Sequence, residues 1–412
     1  MMPRRAYRWG GFGDRFPSKG EGSSLESFSY LELFQPLMSL GRETLPQLTA
    51  VEARKALAGA ARILGLEFIE KEDVIPSFLL TAPSGSPTLL TLFATWHAEP
   101  APVTPAAVES AERLALAVTL AALGAAQTVA SVPASVVVAP AATHGSRGLA
   151  EFLGLHRERL QAPAAFWVRA IQEPPPRRRV YLGARGRVIL GVWGEGVSAY
   201  RIRDELVRQL GDEAYGPRPL DFELLRKLGQ SRSALDFLEE TLEDPQTVAG
   251  EGEERLRRAL FEPRGQVVAP PVPHKDRPQA WIILETTERM EPADLHHRAQ
   301  ELAGSGARVE MAEGFLWDRL SIHHPAIQAE ISLSKTVSAG PDIWPMAPWP
   351  TPSGLFTRAL GTPLAEWGIP LPPSTAVRSP GSEAFQAMVG EASALMLRGA
   401  GVALPSVDPG AE

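Results

Sequence analysis

A histidine and a glutamate lie two residues apart, directly after an apolar run that is typical of a buried strand. The run is Thr88–Ala94, and His97 and Glu99 follow it. A neutral imidazole is a common zinc ligand, and a nearby carboxylate can hydrogen-bond to its second ring nitrogen and orient it. Because catalytic zinc needs only three protein ligands, His97, His144 and Glu112 are one candidate mononuclear set. The alternative is that His97 is a structural residue satisfied within the fold.

The other motifs in the sequence give weaker indications of a functional site. Two histidine pairs, His296–His297 and His323–His324, are adjacent in the chain. Adjacent side chains diverge on a helix and point to opposite faces of a strand, so we interpret both pairs as surface or element-end residues. Gly10–Gly13 lacks the strand and helix that flank a phosphate loop. The sequence contains no Gly-x-Ser-x-Gly nucleophile elbow.

The elements that must position His97 alternate between strands and helices. Helical spacing covers Leu48–Leu64, with Thr49 as N-cap and Gly65 as C-cap, and it recurs over residues 106–125 and 145–160. Strand signals fall between these helices, at Leu66–Ile69, Ser77–Thr81, Thr88–Ala94, Ser135–Ala139 and Ala164–Ile171. This rhythm predicts an α/β fold, an open sheet with helices on both faces.

After Pro174–Arg179 the pattern changes, and we interpret Arg177–Arg179 as a solvated linker. Strands are predicted at Val188–Trp193, Ala280–Glu285 and Ala307–Ala312, with helices at 201–210, across 221–260 and at 292–302. Such a segment can fold as a small α+β sandwich. Helices at 353–360 and 382–398 follow, in a tail that we expect to complete the first sheet. We therefore predict a flexible arm (1–25), a main α/β domain (26–184 and 319–412) and an inserted α+β domain (185–318).

Composition excludes several classes of function. The 412 residues are 44% hydrophobic and 22% charged, which is typical of a soluble globular protein. A net charge of −7 gives no electrostatic basis for nucleic-acid binding, and the absence of cysteine excludes disulfides, thiol catalysis and iron–sulfur clusters. The longest apolar stretch, Leu114–Ala126, is too short to span a bilayer, and no signal-peptide core follows the N-terminus. We expect a cytoplasmic protein without a membrane anchor.

Amino-acid usage bears on the source of the protein. There are 35 arginines against 6 lysines, no asparagine and 38 prolines. A lack of thermolabile side chains together with loop proline favours a thermophilic source. A GC-rich genome is an equally simple explanation, so both alternatives remain open.

Three stretches together resemble one family. Pro87–Pro100 is similar to a strand that ends in Gly-His-x-Asp-x-x-Pro. Gly145–Leu153, continued by His156–Leu160, is similar to a Glu-Glu-x-Gly-Ser-x-Gly-Leu helix. Arg378–Phe385 is similar to a C-terminal His-Ser-Pro-x-Glu segment. In this order the stretches resemble the co-catalytic di-zinc metallopeptidases, which include carnosinases, desuccinylases, aminoacylases and glutamate carboxypeptidases. The resemblance spans about residues 45–400 and implies an α/β peptidase domain with an inserted lid or dimerisation domain.

The resemblance also implies site residues, and most of them are replaced. His97 matches the first zinc ligand, Glu99 stands where an acid orients it, and Glu112 could substitute for the bridging aspartate. The glutamate pair that supplies the base and a ligand falls on Ala142 and Thr143, beside His144. The next carboxylate ligand falls on Arg169 and the last histidine on Arg378. In the inserted domain, the expected histidine falls near Val197 and the substrate-carboxylate arginine near Glu285.

The charges at these implied site positions decide whether they can hold a metal ion. A guanidinium stays protonated in proteins, and a cation beside a divalent metal is repelled. We therefore expect no cofactor, with one zinc ion as the alternative, and we expect Arg169 and Arg378 to form ion pairs with Glu99 or Glu112. Loss of a positioned general base alone lowers a rate on the order of 10²–10⁴-fold.

Three hypotheses about function follow. The first is a catalytically inactive homologue, a pseudoenzyme that keeps the scaffold for binding or assembly. The second is an active peptidase or amidohydrolase with a mononuclear metal site around His97. The third is a protein that binds a small carboxylate through Arg169 and Arg378. The resemblance implies a homodimer through the inserted domain and a small acidic or peptide ligand. We interpret Trp344–Pro350, together with Trp367, as an apolar wall of a cleft or as a plug in the former active site.

Overall fold

The computed structural model describes most of the chain after residue 45. The described residues are 46–71, 76–83, 87–96, 106–140, 148–172, 177–194, 198–212, 217–241, 250–269, 278–287, 291–371 and 382–402. The predicted N-terminal arm, residues 1–25, lies outside them. Within the described residues, no helix is both long enough and apolar enough to cross a membrane.

A six-stranded sheet, here called the main sheet, has the order β1-β2-β4-β3-β5-β14. Its strands are β1 (Glu67–Lys71), β2 (Ser77–Thr81), β3 (Leu90–Trp96), β4 (Ala134–Pro140), β5 (Ala164–Gln172) and β14 (Leu364–Leu371). Strands β4, β3, β5 and β14 run parallel, whereas β1 and β2 are antiparallel neighbours at one edge. Every residue of β3 and β4 is buried, as expected for parallel strands covered on both faces.

Helices cover both faces of the main sheet, as the sequence predicts. One face packs against α1 (Pro46–Ile63), α2 (Ala106–Val129), α10 (Pro325–Val337) and α12 (Glu383–Gly399). The other face packs against α3 (Leu149–Leu155), α4 (Arg157–Leu160) and α11 (Ser353–Leu360). The α/β fold class is therefore confirmed. Strand β14 joins the sheet beside β5, so the C-terminal part of the chain completes it.

Some predicted boundaries are wrong. Helix α1 begins at Pro46, so Thr49 lies inside it and is not the N-cap, although Gly65 after the helix does adopt a left-handed φ of 66°. The single helix predicted over 145–160 is two helices, α3 and α4, with His156 between them.

A second sheet of four antiparallel strands has the order β11-β8-β10-β9. Its strands are β8 (Gly186–Trp193), β9 (Arg264–Val268), β10 (Ala280–Thr286) and β11 (Arg308–Phe315). Helices α5 (Ala199–Asp212) and α9 (Pro292–Ala303) pack on one face of it. Strands β9 and β11 are its two edges. Pairing of two copies through this part of the chain stays a prediction.

Three helices lie between the strands of the second sheet in sequence. They are α6 (Pro219–Gly229), α7 (Arg232–Thr241) and α8 (Gly252–Phe261), here called the inserted helices. Four short strands complete the described part of the fold. They form two pairs, the parallel β6 (Arg178–Tyr181) with β13 (Pro341–Trp344) and the antiparallel β7 (Gly183–Ala184) with β12 (Asp318–Arg319).

The interpretation of Arg177–Arg179 as a solvated linker is wrong. Arg178 opens strand β6 and is 3% exposed, because its guanidinium binds the carboxylate of Glu391 at 2.6 Å. Arg179 lies over the ring of Phe237, 3.3 Å from its centroid. Only Arg177 is substantially exposed, and it pairs with Asp342 at 3.3 Å. A run of like charges thus packs into the fold because each guanidinium has its own partner.

Candidate functional site

The carboxyl ends of four parallel strands share one edge of the main sheet. Strands β4, β3, β5 and β14 end at Pro140, Trp96, Gln172 and Leu371. In open α/β sheets, ligands bind at this edge. Five of the predicted site residues follow these strands in sequence and lie outside the described residues: His97, Glu99, Thr143, His144 and Arg378. Of the predicted set, Glu112 and Arg169 are described.

Arg169 lies near the end of β5 and is held from three sides. Its Nη1 donates a hydrogen bond to Oε1 of Glu366 at 2.8 Å. Its guanidinium carbon lies 4.7 Å from the ring centroid of Trp167 and 5.4 Å from that of Trp349, which are cation–π distances. The side chain remains 35% exposed. Burial lowers the pKa of Arg169, but the adjacent carboxylate of Glu366 more than offsets this and the pKa is raised. The group is a permanent cation.

Strand register explains why these side chains meet. In the parallel pair of β5 and β14, Trp167 is opposite Glu366 and Arg169 is opposite Gly368. Because side chains alternate along a strand, Trp167, Arg169 and Glu366 share one face of the sheet. Opposite Arg169, Gly368 has no side chain, so the guanidinium can reach diagonally to Glu366. The predicted partners of Arg169 were Glu99 or Glu112. Among the described residues its hydrogen-bond partner is Glu366, and the charge of Glu112 also acts on it. Glu99 lies outside the described residues, so its pairing with Arg169 stays a prediction.

Glu366 is fixed as firmly as the arginine. Its side chain is 7% exposed, and the indole Nε1 of Trp349 donates to its two oxygens at 3.0 and 2.9 Å. Charge-assisted hydrogen bonds of this kind orient both partners. Arg169, Glu366, Trp167 and Trp349 therefore form one interlocked group, here called the Arg169 cluster.

Two further carboxyl groups act on this cluster. The carboxylate of Glu112, at the sheet-facing part of α2, contributes to the raised pKa of Arg169. Glu330 of α10 is fully buried, and neither of its oxygens has a hydrogen-bond partner among the described residues. Burial, with a smaller contribution from the charge of Glu366, raises the pKa of Glu330 well above its ordinary value. Glu330 therefore keeps its proton to a higher pH than an exposed glutamate does.

The Trp344–Pro350 loop packs tightly beside the Arg169 cluster. Trp344 and Met346 are fully buried in an apolar cluster with the inserted helices. The ring of Phe237 in α7 lies 5.5 Å from that of Trp344 and 6.0 Å from that of Trp349. This packing favours the interpretation of the loop as a plug. Trp367 is wrongly grouped with it, because Trp367 is fully buried on the opposite face of the sheet and donates to Glu391 at 3.0 Å.

The resemblance implies two further positions, Val197 and Glu285. Val197 lies outside the described residues. Glu285, where a substrate-carboxylate arginine is implied, is an acid that pairs with Arg264 at 2.7 Å. Arg264 also donates to the carbonyl oxygen of Pro348 at 2.5 Å. The arginine near this position is therefore Arg264 of the neighbouring strand β9, and the carboxylate of Glu285 neutralises its charge.

The paired histidines were predicted to be surface or element-end residues, which fits exposed His297 and the N-cap His324 but not His296, partly buried within α9. Nε2 of His296 lies 2.9 Å from the carbonyl oxygen of Val309, and exposed His297 lies 3.3 Å from Glu301. His324 caps α10 by accepting a hydrogen bond from the backbone of Ala326.

Of the zinc-ligand positions that the resemblance implies, the structure describes two, Glu112 and Arg169. Where the resemblance implies a carboxylate ligand, Arg169 places a guanidinium, and the carboxylate of Glu366 is bound to it. In the parts of the chain that the structure describes, no three His, Asp or Glu side chains are grouped closely enough to hold a metal ion. A fixed cation here opposes a divalent metal.

Sequence reasoning missed Glu366, Glu330 and Arg264. Glu366 interrupts an apolar segment, Leu364–Leu371, that ends the sheet, and a lone acid in such a run is a usable signal for a buried ion pair. Glu330 likewise lies on the apolar face of α10. No feature of the sequence marks Arg264.

Comparison with known proteins supports the fold and nothing finer. No protein-family model matches the chain, and no curated protein sequence matches it significantly. Solved structures do match. A metallo-carboxypeptidase of the M20 family from Sulfolobus solfataricus superimposes with a TM-score of 0.65 at 14% identity, over 89% of this chain and 99% of that one.

Two other solved structures agree. Human carnosine dipeptidase 1 matches with a TM-score of 0.61 at 12% identity, over 91% of this chain and 96% of its own. The dipeptidase Dug1p from Saccharomyces cerevisiae matches with a TM-score of 0.62 at 12% identity, over 91% of this chain and 99% of its own. Identities this low establish architecture alone. The chain therefore has the fold of the M20 metallopeptidases, which confirms the structural side of the resemblance seen in its sequence.

Proposed function

We propose that this protein has lost two-zinc peptide hydrolysis and keeps the metallopeptidase scaffold for binding or assembly. The observation that carries the proposal is the Arg169 cluster, a cation locked by Glu366 and two indoles where the resemblance implies a zinc-binding carboxylate. The sequence adds that Ala142 and Thr143 replace the glutamate pair. Neither side chain can act as a general base at neutral pH.

Metal content tests this proposal. The purified full chain, dialysed and then offered zinc, is expected to retain less than about a tenth of an equivalent by plasma mass spectrometry, because the cation of Arg169 repels Zn²⁺. It is also expected to show no zinc-dependent cleavage of dipeptides or N-acyl amino acids. Two tightly held equivalents would overturn the proposal.

A matched pair of variants separates the alternative of a mononuclear site from surface binding. One equivalent of zinc that is lost in His97→Ala but kept in His297→Ala would overturn the proposal and establish the mononuclear site. His297 is the suitable control because its side chain is 77% exposed. Zinc lost equally in both variants comes from adventitious surface binding and leaves the proposal intact.

A specific observation also favours the small-carboxylate hypothesis. Among the described residues, Arg169 uses one of its five N–H donors, on Glu366, while the two indole rings keep its plane fixed. A planar guanidinium presents its remaining donors as a fork that suits a carboxylate. We propose such binding as the second candidate function, with Arg378 as the other cation.

Titration of sodium acetate and of succinate by calorimetry tests this second candidate. Saturable binding is expected in the native chain and is expected to disappear in Arg169→Ala/Arg378→Ala. Arg232→Ala is the control, since Arg232 is 94% exposed and only loosely paired with Asp236 at 3.9 Å. Unchanged binding in the double variant, or no saturable binding in the native chain, would dispose of the hypothesis.

A further inference from the structure

The chain passes twice between the two sheets, and the two passages are paired. Gly183–Ala184 (β7) pairs antiparallel with Asp318–Arg319 (β12), which we call the crossing ribbon. A Cβ added to Gly183 would lie 2.5 Å from the carbonyl oxygen of Asp318, and one added to Gly186 would lie 2.6 Å from that of Phe315. The two passages are therefore packed backbone to backbone.

A buried ion pair ties the crossing ribbon to the inserted helices. Arg319 donates two hydrogen bonds to the carboxylate of Asp221 in α6, at 3.0 and 2.5 Å. The two side chains are 5% and 0% exposed. Asp221 also accepts a hydrogen bond from the backbone of Arg218 at 2.7 Å, so it caps the helix that it anchors. Separation of the two groups would leave an uncompensated charge in the interior.

Arg185, next to the crossing ribbon, joins three elements. Its side chain is fully buried and donates to the carbonyl oxygens of Ala259 and Leu260, at 3.1 and 2.9 Å, at the end of α8. It also reaches the carbonyl oxygen of Glu285 in β10, at 3.3 Å. A cation at the C-terminus of a helix satisfies carbonyl groups that have no partner within the helix. Outward movement of α8 or of the second sheet would leave the buried guanidinium of Arg185 without these hydrogen-bond acceptors.

Apolar packing completes the connection. Tyr181 and Trp344, from the strand pair beside the main sheet, are buried in one cluster with Leu225, Leu256 and Phe261 of the inserted helices. Separation of these bodies would expose the whole cluster to water, at a cost of about 25 cal/mol for each Å² of apolar surface.

We propose that the connection between the two sheets is a lock and not a hinge. The second sheet and the inserted helices stay in one fixed position relative to the main sheet, with or without a ligand at its carboxyl edge. Movement of the second sheet together with the inserted helices away from the main sheet breaks Arg319–Asp221, the contacts of Arg185 and an apolar cluster, and these costs together disfavour an open state. This inference is independent of the proposed function, because a fixed scaffold could serve either candidate.

Distance measurement between spin labels tests the lock. Since the sequence has no cysteine, Glu158→Cys on the main domain and Ser305→Cys beside the second sheet give a clean labelling pair, and both positions are exposed. By pulsed electron resonance, the full chain is expected to give one narrow distance peak, unchanged by zinc or by sodium acetate. Two peaks, a broad distribution or a ligand-dependent shift in this chain would overturn the proposal.

Two variants test which contacts form the lock. Asp221→Ala is expected to lose the single narrow peak, because the guanidinium of Arg319 is left buried and unpaired. Glu291→Ala is the matched control. It removes an exposed contact between the same bodies, the pair of Glu291 with Arg358 at 2.6 Å, and should leave the peak unchanged. If Asp221→Ala does not fold, the result in the native background alone decides the proposal.

Discussion

Replacement of Arg178 by methionine should lower the free energy of unfolding by about 3–5 kcal/mol, among the largest effects of a single substitution in this chain. The guanidinium lies 2.6 Å from Glu391, and both side chains are at least 96% buried. Without the arginine, the carboxylate of Glu391 keeps only the hydrogen bond from Trp367 at 3.0 Å. Burial raises the pKa of Glu391 while Arg178 lowers it, so loss of the cation raises the pKa of this carboxyl group further. Urea unfolding measures the change.

A second substitution should recover most of this loss. In Arg178→Met/Glu391→Gln, no charge is left in the interior, and the amide oxygen still accepts the hydrogen bond from Trp367. Replacement of both members of a buried ion pair costs far less than removal of one. The exposed pair of Arg358 and Glu291 is the control, and Arg358→Met should cost less than about 1 kcal/mol. A double variant as unstable as the single one would contradict the assigned ion pair.

The sequence predicts an element well when the residues of that element alone determine its secondary structure. Strands β3 and β4 are fully buried, and their largely apolar runs can be recognised without tertiary information. Strand β14 is different, because Leu364–Leu371 contains a glutamate, a glycine and a proline. Its strand state comes from the free edge that β5 offers, and a single sequence does not reveal that edge.

The same reasoning explains Arg178. A run of three arginines beside three prolines has the composition of an exposed linker. Glu391, which makes burial of Arg178 favourable, lies 213 residues later in the chain. Pairing over such a separation follows from the fold, so composition alone predicts the wrong environment.

At the candidate site, the sequence predicts which types of residue are present but not which residues contact each other. Arg169 can be singled out from the resemblance, since a cation replaces an expected carboxylate. Its partner Glu366 follows from the register between β5 and β14, and the cap from Trp349 follows from the packing of the Trp344–Pro350 loop. These contacts fix the cation of Arg169 beside the carboxylate of Glu366.

Glu330 should make the stability of this protein fall as pH rises. Its carboxyl group is fully buried among apolar neighbours of α10, close enough to Glu366 in β14 and to Tyr181 in β6 to interact with both. Burial raises its pKa in the folded chain well above 4.5, the value near which it ionises once unfolded. Above pH 4.5 the folded state therefore binds the extra proton, and each further pH unit favours unfolding by about 1.4 kcal/mol until the folded pKa is reached.

Glu330→Gln removes this dependence, because the amide has nearly the same shape as the protonated acid and does not titrate. The variant and the native chain should differ little near pH 4.5, and the variant should become progressively more stable than the native chain as pH rises toward 8. Urea unfolding at several pH values measures the difference. Glu151→Gln, at a carboxylate that is 77% exposed, is the control for removal of a negative charge. A difference that does not change with pH would mean that Glu330 is ionised in the folded protein.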